Sequence, residues 1–284
     1  MCWGEKIIFM KKFIFIFLAV LIISCNSSKI DISNSSKYYT DSIYSNSLQE
    51  YRLHNIYLPK NFSKKNQYPI LYATDGNKMD VNNTTKILLD SLIENKLTPP
   101  FIVIESHQNS KIADSTSTTN GYGMKIYNRY RYFDYVPNQT LDPILKKRFN
   151  NHMNYFVSEL IPKIEIQFNQ KNTKENRFFY GVSNGGSFGI NMLNSNPNII
   201  GTYICYSTIG GDIQSMNWDK KINYPKLYLQ YGNQEPVFLK NDADYLIKKY
   251  TELNLFCEIN SFDGGHDNVI WKEKFISTIK KTIK

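Results

Sequence analysis

Histidine and cysteine are both scarce, with four of each in 284 residues. None of them falls at the short spacings by which Cys, His and carboxylates hold an ion, so no metal and no cofactor is expected. No repeat with a period of roughly 20–50 residues is visible, which excludes solenoids and propellers. Low-complexity blocks are absent as well. Acidic residues are in deficit, 25 against 34 basic ones, for a formal charge of +9. The lysines are scattered among Asn and Ile, without a basic arm or a nucleic-acid motif. Nucleic acid is therefore not an expected partner, and the charge reads mainly as background composition. A single long apolar run, Phe13 to Ile23, is too short for a ~20-residue membrane span.

That run has another reading. Lys11-Lys12 precede it, and it ends in Ile22-Ile23-Ser24-Cys25. A basic n-region followed by an apolar h-region is the pattern of a signal peptide. The small residue before Cys25 resembles the lipobox of bacterial lipoproteins, which implies a lipidated Cys25 and an extracytoplasmic, membrane-anchored protein at the periplasm or cell surface. A plain signal peptide or a buried helix is the alternative. Met10 is an alternative start. The organisation expected is a leader over 1–24, a Ser/Asn/Asp-rich flexible tether over 25–46 and one domain over 47–284. Cys2 and Cys25 then belong to leader and anchor. Cys205 and Cys257 lie in apolar strands and read as two separate thiols, although such a location permits a disulfide.

With 42% hydrophobic and 14% aromatic residues, the domain can bury one large core. Its most informative stretch is Tyr180-Gly181-Val182-Ser183-Asn184-Gly185-Gly186. The β-prone Arg177-Phe178-Phe179-Tyr180 leads in, and a segment with apolar residues at helical spacing leads out. This is the G-x-S-x-G nucleophile elbow, in which a strand turns sharply into a helix and presents one serine. Gly181 and Gly185 are expected to be glycines because a Cβ there would clash at the close approach. A Ser-acid-His triad needs the acid and the histidine downstream, in that order. After Ser183 the chain holds one histidine, His266, in Gly264-Gly265-His266-Asp267. Before it, the apolar run Lys226 to Gly232 is followed directly by Asn233-Gln234-Glu235-Pro236. A carboxylate just past a strand end is where the imidazole-orienting acid belongs, so Glu235 is the candidate. Asp242 and Asp244 are the alternatives, and Glu235 as a surface turn carboxylate is the bland one.

A coarse pass gives strands at 48–58, 68–74 and 101–104, a helix at 84–93, and a polar, Tyr-rich loop over 106–140. That loop is long enough to be a substrate-binding insertion. Residues 141–168 read as mostly helical, with a kink or break expected at Pro162. The elbow, strands near Cys205, Tyr228 and Cys257, a helix at 245–253 and a terminal helix complete an α/β pattern. It implies a mostly parallel sheet with helices on both faces.

Seven pieces in order carry a family resemblance over about residues 48 to 284. They are Tyr57-Leu58-Pro59, Tyr68 to Tyr72 leading to Asp75-Gly76, and Arg131-Tyr132-Phe133-Asp134-Tyr135-Val136-Pro137. Then come Glu159 to Glu165, Gly181 to Gly186, Gly232 to Pro236, and Gly265-His266-Asp267 with Trp271. The chain resembles the esterase-D / enterochelin-esterase branch of the α/β-hydrolases. Ala73-Thr74 stand where two leucines are usual, a departure expected to alter packing more than chemistry. The resemblance implies a serine esterase with Ser183 as nucleophile, His266 as base and Glu235 as its partner. The oxyanion donors would be the backbone N–H groups of Asn184 and, by resemblance, Asn77. Asp75 reads as a structural turn residue. Arg131 and Tyr132 could line the substrate mouth, or the Tyr-rich stretch could be packing. The implied substrate is a small-molecule or glycan ester, such as a siderophore lactone or an acyl or feruloyl sugar. Two other classes stay open: an acyltransferase resembling the mycolyltransferases, and a non-catalytic binding lipoprotein, against which the intact Ser183, Glu235 and His266 argue.

Overall fold

Largely apolar strands build the sheet at the centre of this computed structural model, which describes residues 34–77, 83–119, 123–137 and 140–284. The expected leader, Cys25 and the first part of the tether, 25–33, lie outside the described residues. Strands β1 (Lys37–Ser45) and β2 (Glu50–Leu58) form a hairpin, and β3 (Ile70–Gly76), α1 (Thr84–Glu94) and β4 (Ile102–His107) follow. An insertion comes next: β5 (Ile112–Thr119), β6 (Lys125–Arg129), α2 (Tyr130–Tyr135), α3 (Pro143–Lys146) and α4 (Arg148–Asn154). A π-helical turn (Tyr155–Leu160) runs into α5 (Ile161–Phe168). The second half is β7 (Arg177–Val182), α6 (Asn184–Ser195), β8 (Thr202–Tyr206), β9 (Lys226–Gly232), α7 (Val237–Glu252), β10 (Cys257–Phe262) and α8 (Asn268–Thr282).

Eight strands pair in the order β1-β2-β4-β3-β7-β8-β9-β10. The β1/β2 and β2/β4 pairs are antiparallel and the rest of the sheet is parallel. Strand period 2 sends Ile70 and Tyr72 to one core and Leu71 to the other. Phe188, Ile164 and Leu246 cover the first face, while Leu89, Trp271 and Phe275 cover the second. Covering both faces explains why the central strands read as continuous apolar runs. Cys205 is buried in β8 and Cys257 half-buried in β10, and both are free thiols.

Three sequence expectations need correction. Residues 37–45 of the expected tether are strand β1, paired with β2 from Lys37↔Leu58 to Ser45↔Glu50. An edge strand with one solvated face tolerates Ser, Thr and Asp, so its composition looks like a linker. The expected loop over 106–140 contains the β5–β6 hairpin and α2. The described part of that hairpin is largely exposed, so it lacks the apolar alternation that marks a core strand. Pro162 does not break the chain's helical course, since Leu160 and Ile161 keep right-handed dihedrals. The wider π-turn ends just ahead of Pro162, a local irregularity of the kind by which a continuous helix accommodates a proline ring.

His152 on α4 is fully buried against Tyr135, Phe156 and Phe188, and neither ring nitrogen has a hydrogen-bond partner among the described residues. Burial first, then the Arg52 and Arg148 charges, push its pKa well below the ordinary 6.5. Burial likewise pushes His54 down to about 4. The unfolded chain therefore binds protons that the native state refuses as pH falls below about 6.5. Each such histidine should cost roughly 1 kcal/mol per pH unit in that range. Melts at pH 7, 6 and 5 should show falling stability, with a shallower fall in His152→Phe. A wild-type melting temperature unchanged from pH 7 to 5 would refute the point.

Candidate active site

Five neighbouring parallel strands deliver the residues of interest, all at their C-terminal ends: β3, β7, β8, β9 and β10. That edge of a parallel sheet is where ligands bind, because the chain there leaves the sheet in loops. Ser183 stands between β7 and α6 with φ 56° and ψ −128°, a region nearly closed to residues with a Cβ. Its N–H donates to the Tyr206 carbonyl at 2.9 Å, and its own carbonyl accepts from Ser187 and Ile209. The strain is thus held on both sides. A Cβ on Gly181 would lie 2.5 Å from the Gly185 carbonyl oxygen. One on Gly185 would meet Asp75 Oδ2 at 2.8 Å and collide with Thr74 Oγ1. The expected clash is therefore present at Gly181 between strand and helix, and at Gly185 against the C-terminal end of β3.

Two strands further along, Glu235 and His266 meet. His266 Nδ1 lies 2.5 Å from Glu235 Oε1. The carboxylate side chain is 1% exposed and the imidazole 38%, so a buried acid supports a ring that reaches the surface. Glu235 Oε2 accepts from the Gly232 N–H at 2.6 Å and the Ser207 hydroxyl at 2.8 Å. Trp271 Nε1 donates to that same hydroxyl at 2.9 Å, and its ring meets His266 edge-on with centroids 4.5 Å apart. With a carboxylate accepting at Nδ1, that nitrogen carries the proton and Nε2 keeps a lone pair. Ser183 Oγ makes no hydrogen bond to the imidazole among the described residues, a contact that commonly tightens only around substrate. The alternative acids are engaged elsewhere. Asp242 accepts from Gln214 Nε2 at 2.7 Å, and exposed Asp244 pairs with Lys240.

Asn184 opens α6, so its backbone N–H has no carbonyl inside the helix. Asn77 follows β3, the strand next to β7, so the two residues leave the sheet side by side. The Asn77 carbonyl accepts from Asn55 Nδ2 at 2.8 Å and its side-chain oxygen from Gln108 Nε2 at 3.1 Å. Arg131, expected at the substrate mouth, is tied to groups on both sides of the nucleophile. Its Nε donates to Asp75 Oδ1 at 2.5 Å, Nη2 to Asp75 Oδ2 at 2.8 Å and Nη1 to Asn184 Oδ1 at 2.8 Å. Burial would push the guanidinium down, but the Asp75 hydrogen bonds and charge outweigh it and raise it. Tyr132 is half-buried, packs against the core and sits edge-on to Phe133. Asp75, expected in a turn, lies instead in the last residues of β3, where the ladder to β4 shifts register, and holds φ 62°.

Sequence reasoning missed Ser207, the second support of Glu235. Its signal was its position, since it directly follows the buried strand β8 between the strands carrying Ser183 and Glu235. Among the described residues no group of three His, Cys, Asp or Glu could hold a metal ion. No described helix is long and apolar enough to cross a membrane.

A family model described as Putative esterase matches residues 45–282. Solved structures of the same fold include a ferulic acid esterase from Anaeromyces mucronatus in complex with ferulic acid. It is 15% identical, with TM-score 0.63, over 91% of this chain and 96% of that one. The enterochelin esterase of Shigella flexneri is 15% identical, with TM-score 0.64, over 86% of this chain and 57% of that one. An IroE-like serine hydrolase from Shewanella oneidensis is 18% identical, with TM-score 0.59, over 86% and 80%. At these identities the likeness is one of fold. No curated protein matches the sequence.

Proposed function

Because the chain belongs to the esterase family of α/β-hydrolases, we propose that it cleaves a carboxylic ester through an acyl-enzyme on Ser183. One observation carries this reading: a buried Glu235 holding His266 by Nδ1, on the same sheet edge as a strained serine. His266 Nε2 takes the Ser183 hydroxyl proton as Oγ bonds to the ester carbonyl carbon. The tetrahedral oxyanion accepts hydrogen bonds from the Asn184 and Asn77 N–H groups. On collapse, the carbon–alkoxy bond breaks and the imidazolium gives its proton to the leaving alcohol. Water then repeats the sequence on the acyl-enzyme and frees the acid. Glu235 holds the imidazole by Nδ1 and stabilises the imidazolium.

The substrate is of the siderophore-lactone or acyl/feruloyl-carbohydrate type. Support comes from the neighbours, whose descriptions name ferulic acid and enterochelin esterases. An ester panel tests it: short p-nitrophenyl esters, feruloyl and acetyl sugars, and a catecholate trilactone. Turnover confined to the p-nitrophenyl esters would remove both natural classes.

Ile22-Ile23-Ser24-Cys25 motivates a second part of the proposal, a lipid anchor on Cys25 in an extracytoplasmic location. Each buried methylene of an acyl chain contributes ~0.8 kcal/mol, so two or more chains hold a protein firmly on a bilayer. The stretch from Asn26 to Ser36, ahead of β1, would be the spacer. Cys25→Ser should abolish palmitate incorporation and leave the leader unprocessed. A soluble, unlabelled wild-type protein would replace the anchor by an ordinary signal peptide and leave the esterase assignment standing.

A further inference from the structure

Arg131 reaches both loops that carry the proposed oxyanion donors. Two of its donors grip the Asp75 carboxylate in a fork, two residues before Asn77, and a third holds the Asn184 side chain. Asn184 passes the connection on, since its Nδ2 donates to the Ile209 carbonyl at 2.8 Å in the loop after β8. The Ile209 N–H returns to the Ser183 carbonyl at 3.3 Å. Three strand-end loops around the nucleophile are thus tied through one guanidinium. Its base is rigid. The fully buried Tyr135 lies under the guanidinium at 5.1 Å, and its hydroxyl accepts from the Asp75 N–H at 3.3 Å. One turn from Arg131 on the same helix, Asp134 is fully buried and paired with Arg52 at 3.2 Å and Arg148 at 2.8 Å. Those pairs pin α2 to β2 and α4.

The arrangement has two consequences for an anionic transition state. Asp75 near the end of β3 and Ser183 after β7 both hold positive φ, at 62° and 56°, so the backbone is strained at each and needs a fixed partner to keep its shape. A bidentate guanidinium–carboxylate fork fixes distance and plane together, which an ammonium cannot do. Asp75 is also a negative charge near the place where the oxyanion develops. Arg131 neutralises it, so the field there favours the anion. Resting on the esterase reading above, we infer that Arg131 is a positioning residue. It sets the Asn77 and Asn184 N–H groups at the spacing that fits the tetrahedral oxyanion, and it shields that oxyanion from Asp75.

The loss should therefore fall on the transition state and not on substrate binding. On p-nitrophenyl acetate, Arg131→Ala should lower kcat by about 10²–10³, the loss seen for a missing oxyanion donor, with KM within about twofold. Affinity for an alkylboronic acid, which forms a tetrahedral adduct on serine, should fall by a similar factor. Millimolar guanidinium should restore part of the rate to Arg131→Ala. Arg131→Lys should keep the fold and charge but lose the fork, and so retain a large part of the kcat defect. If Arg131→Ala does not fold, the lysine variant decides on the same kcat and boronate readings. A kcat within threefold of wild type, or a loss confined to KM, in a folded variant would overturn the inference. Ser183→Ala separates the two levels: residual wild-type turnover in it refutes the esterase mechanism, whereas its inactivity beside a normal Arg131 variant refutes only the role of Arg131.

Discussion

Ser183→Ala should lose turnover by about 10⁶-fold, the scale seen when a triad nucleophile is removed, while its melting temperature stays near wild type. The fold should survive for a local reason. Alanine has the same Cβ as serine, so the φ of 56° is no more strained after the substitution than before. The backbone ties to Tyr206, Ser187 and Ile209 use the peptide group and are untouched. Only Oγ disappears, and with it the atom that bonds to the acyl carbon. A fluorophosphonate probe should accordingly label the wild type at Ser183 alone and leave the alanine variant blank. Labelling that persists in the variant, or a rate reduced by less than about a hundredfold, would move the nucleophile elsewhere.

The parts of this site legible in the sequence are those whose chemistry is local. An elbow needs small residues within a few positions of its serine, so Gly181, Ser183 and Gly185 announce themselves as one word. Glu235 and His266 were readable because strand order fixes the order of triad members, and one histidine follows the serine. Long-range polar pairings were not readable. Arg131 and Asp75 are 56 positions apart, and nothing in either neighbourhood favours that pairing over a solvent-facing arginine. Ser207 belongs to the same class, since its hydroxyl meets a glutamate 28 residues on and a tryptophan 64 residues on. Strand β1 was hidden for a different reason. It buries few side chains, Ile43 and Ser45 among them, and is held largely by its ladder to β2, which any sequence can make. Hydrophobic periodicity reports burial, and a half-solvated edge strand has little to report.

Glu235→Gln should lower kcat by about 10⁴ with the fold retained, through the proton positions that an amide imposes. Three donors converge on the carboxylate: His266 Nδ1 on Oε1, and the Ser207 hydroxyl and Gly232 N–H on Oε2. A glutamine offers one accepting oxygen and one NH₂. The oxygen satisfies two donors if it stays at the Oε2 position, so the NH₂ is turned toward His266. Nδ1 must then accept, the ring proton moves to Nε2, and the atom that should take the Ser183 proton is already protonated. KM should change little, because the Glu235 side chain is only 1% exposed. Thermal melts should show a modest loss, within about 1–3 kcal/mol for weakened charge-assisted hydrogen bonds. Asp242→Asn and Asp244→Asn are the controls, since their partners are Gln214 and Lys240 and neither touches His266. Both should keep kcat within about twofold of wild type. A large loss in either one, with Glu235→Gln active, would transfer the role of the acid to helix α7.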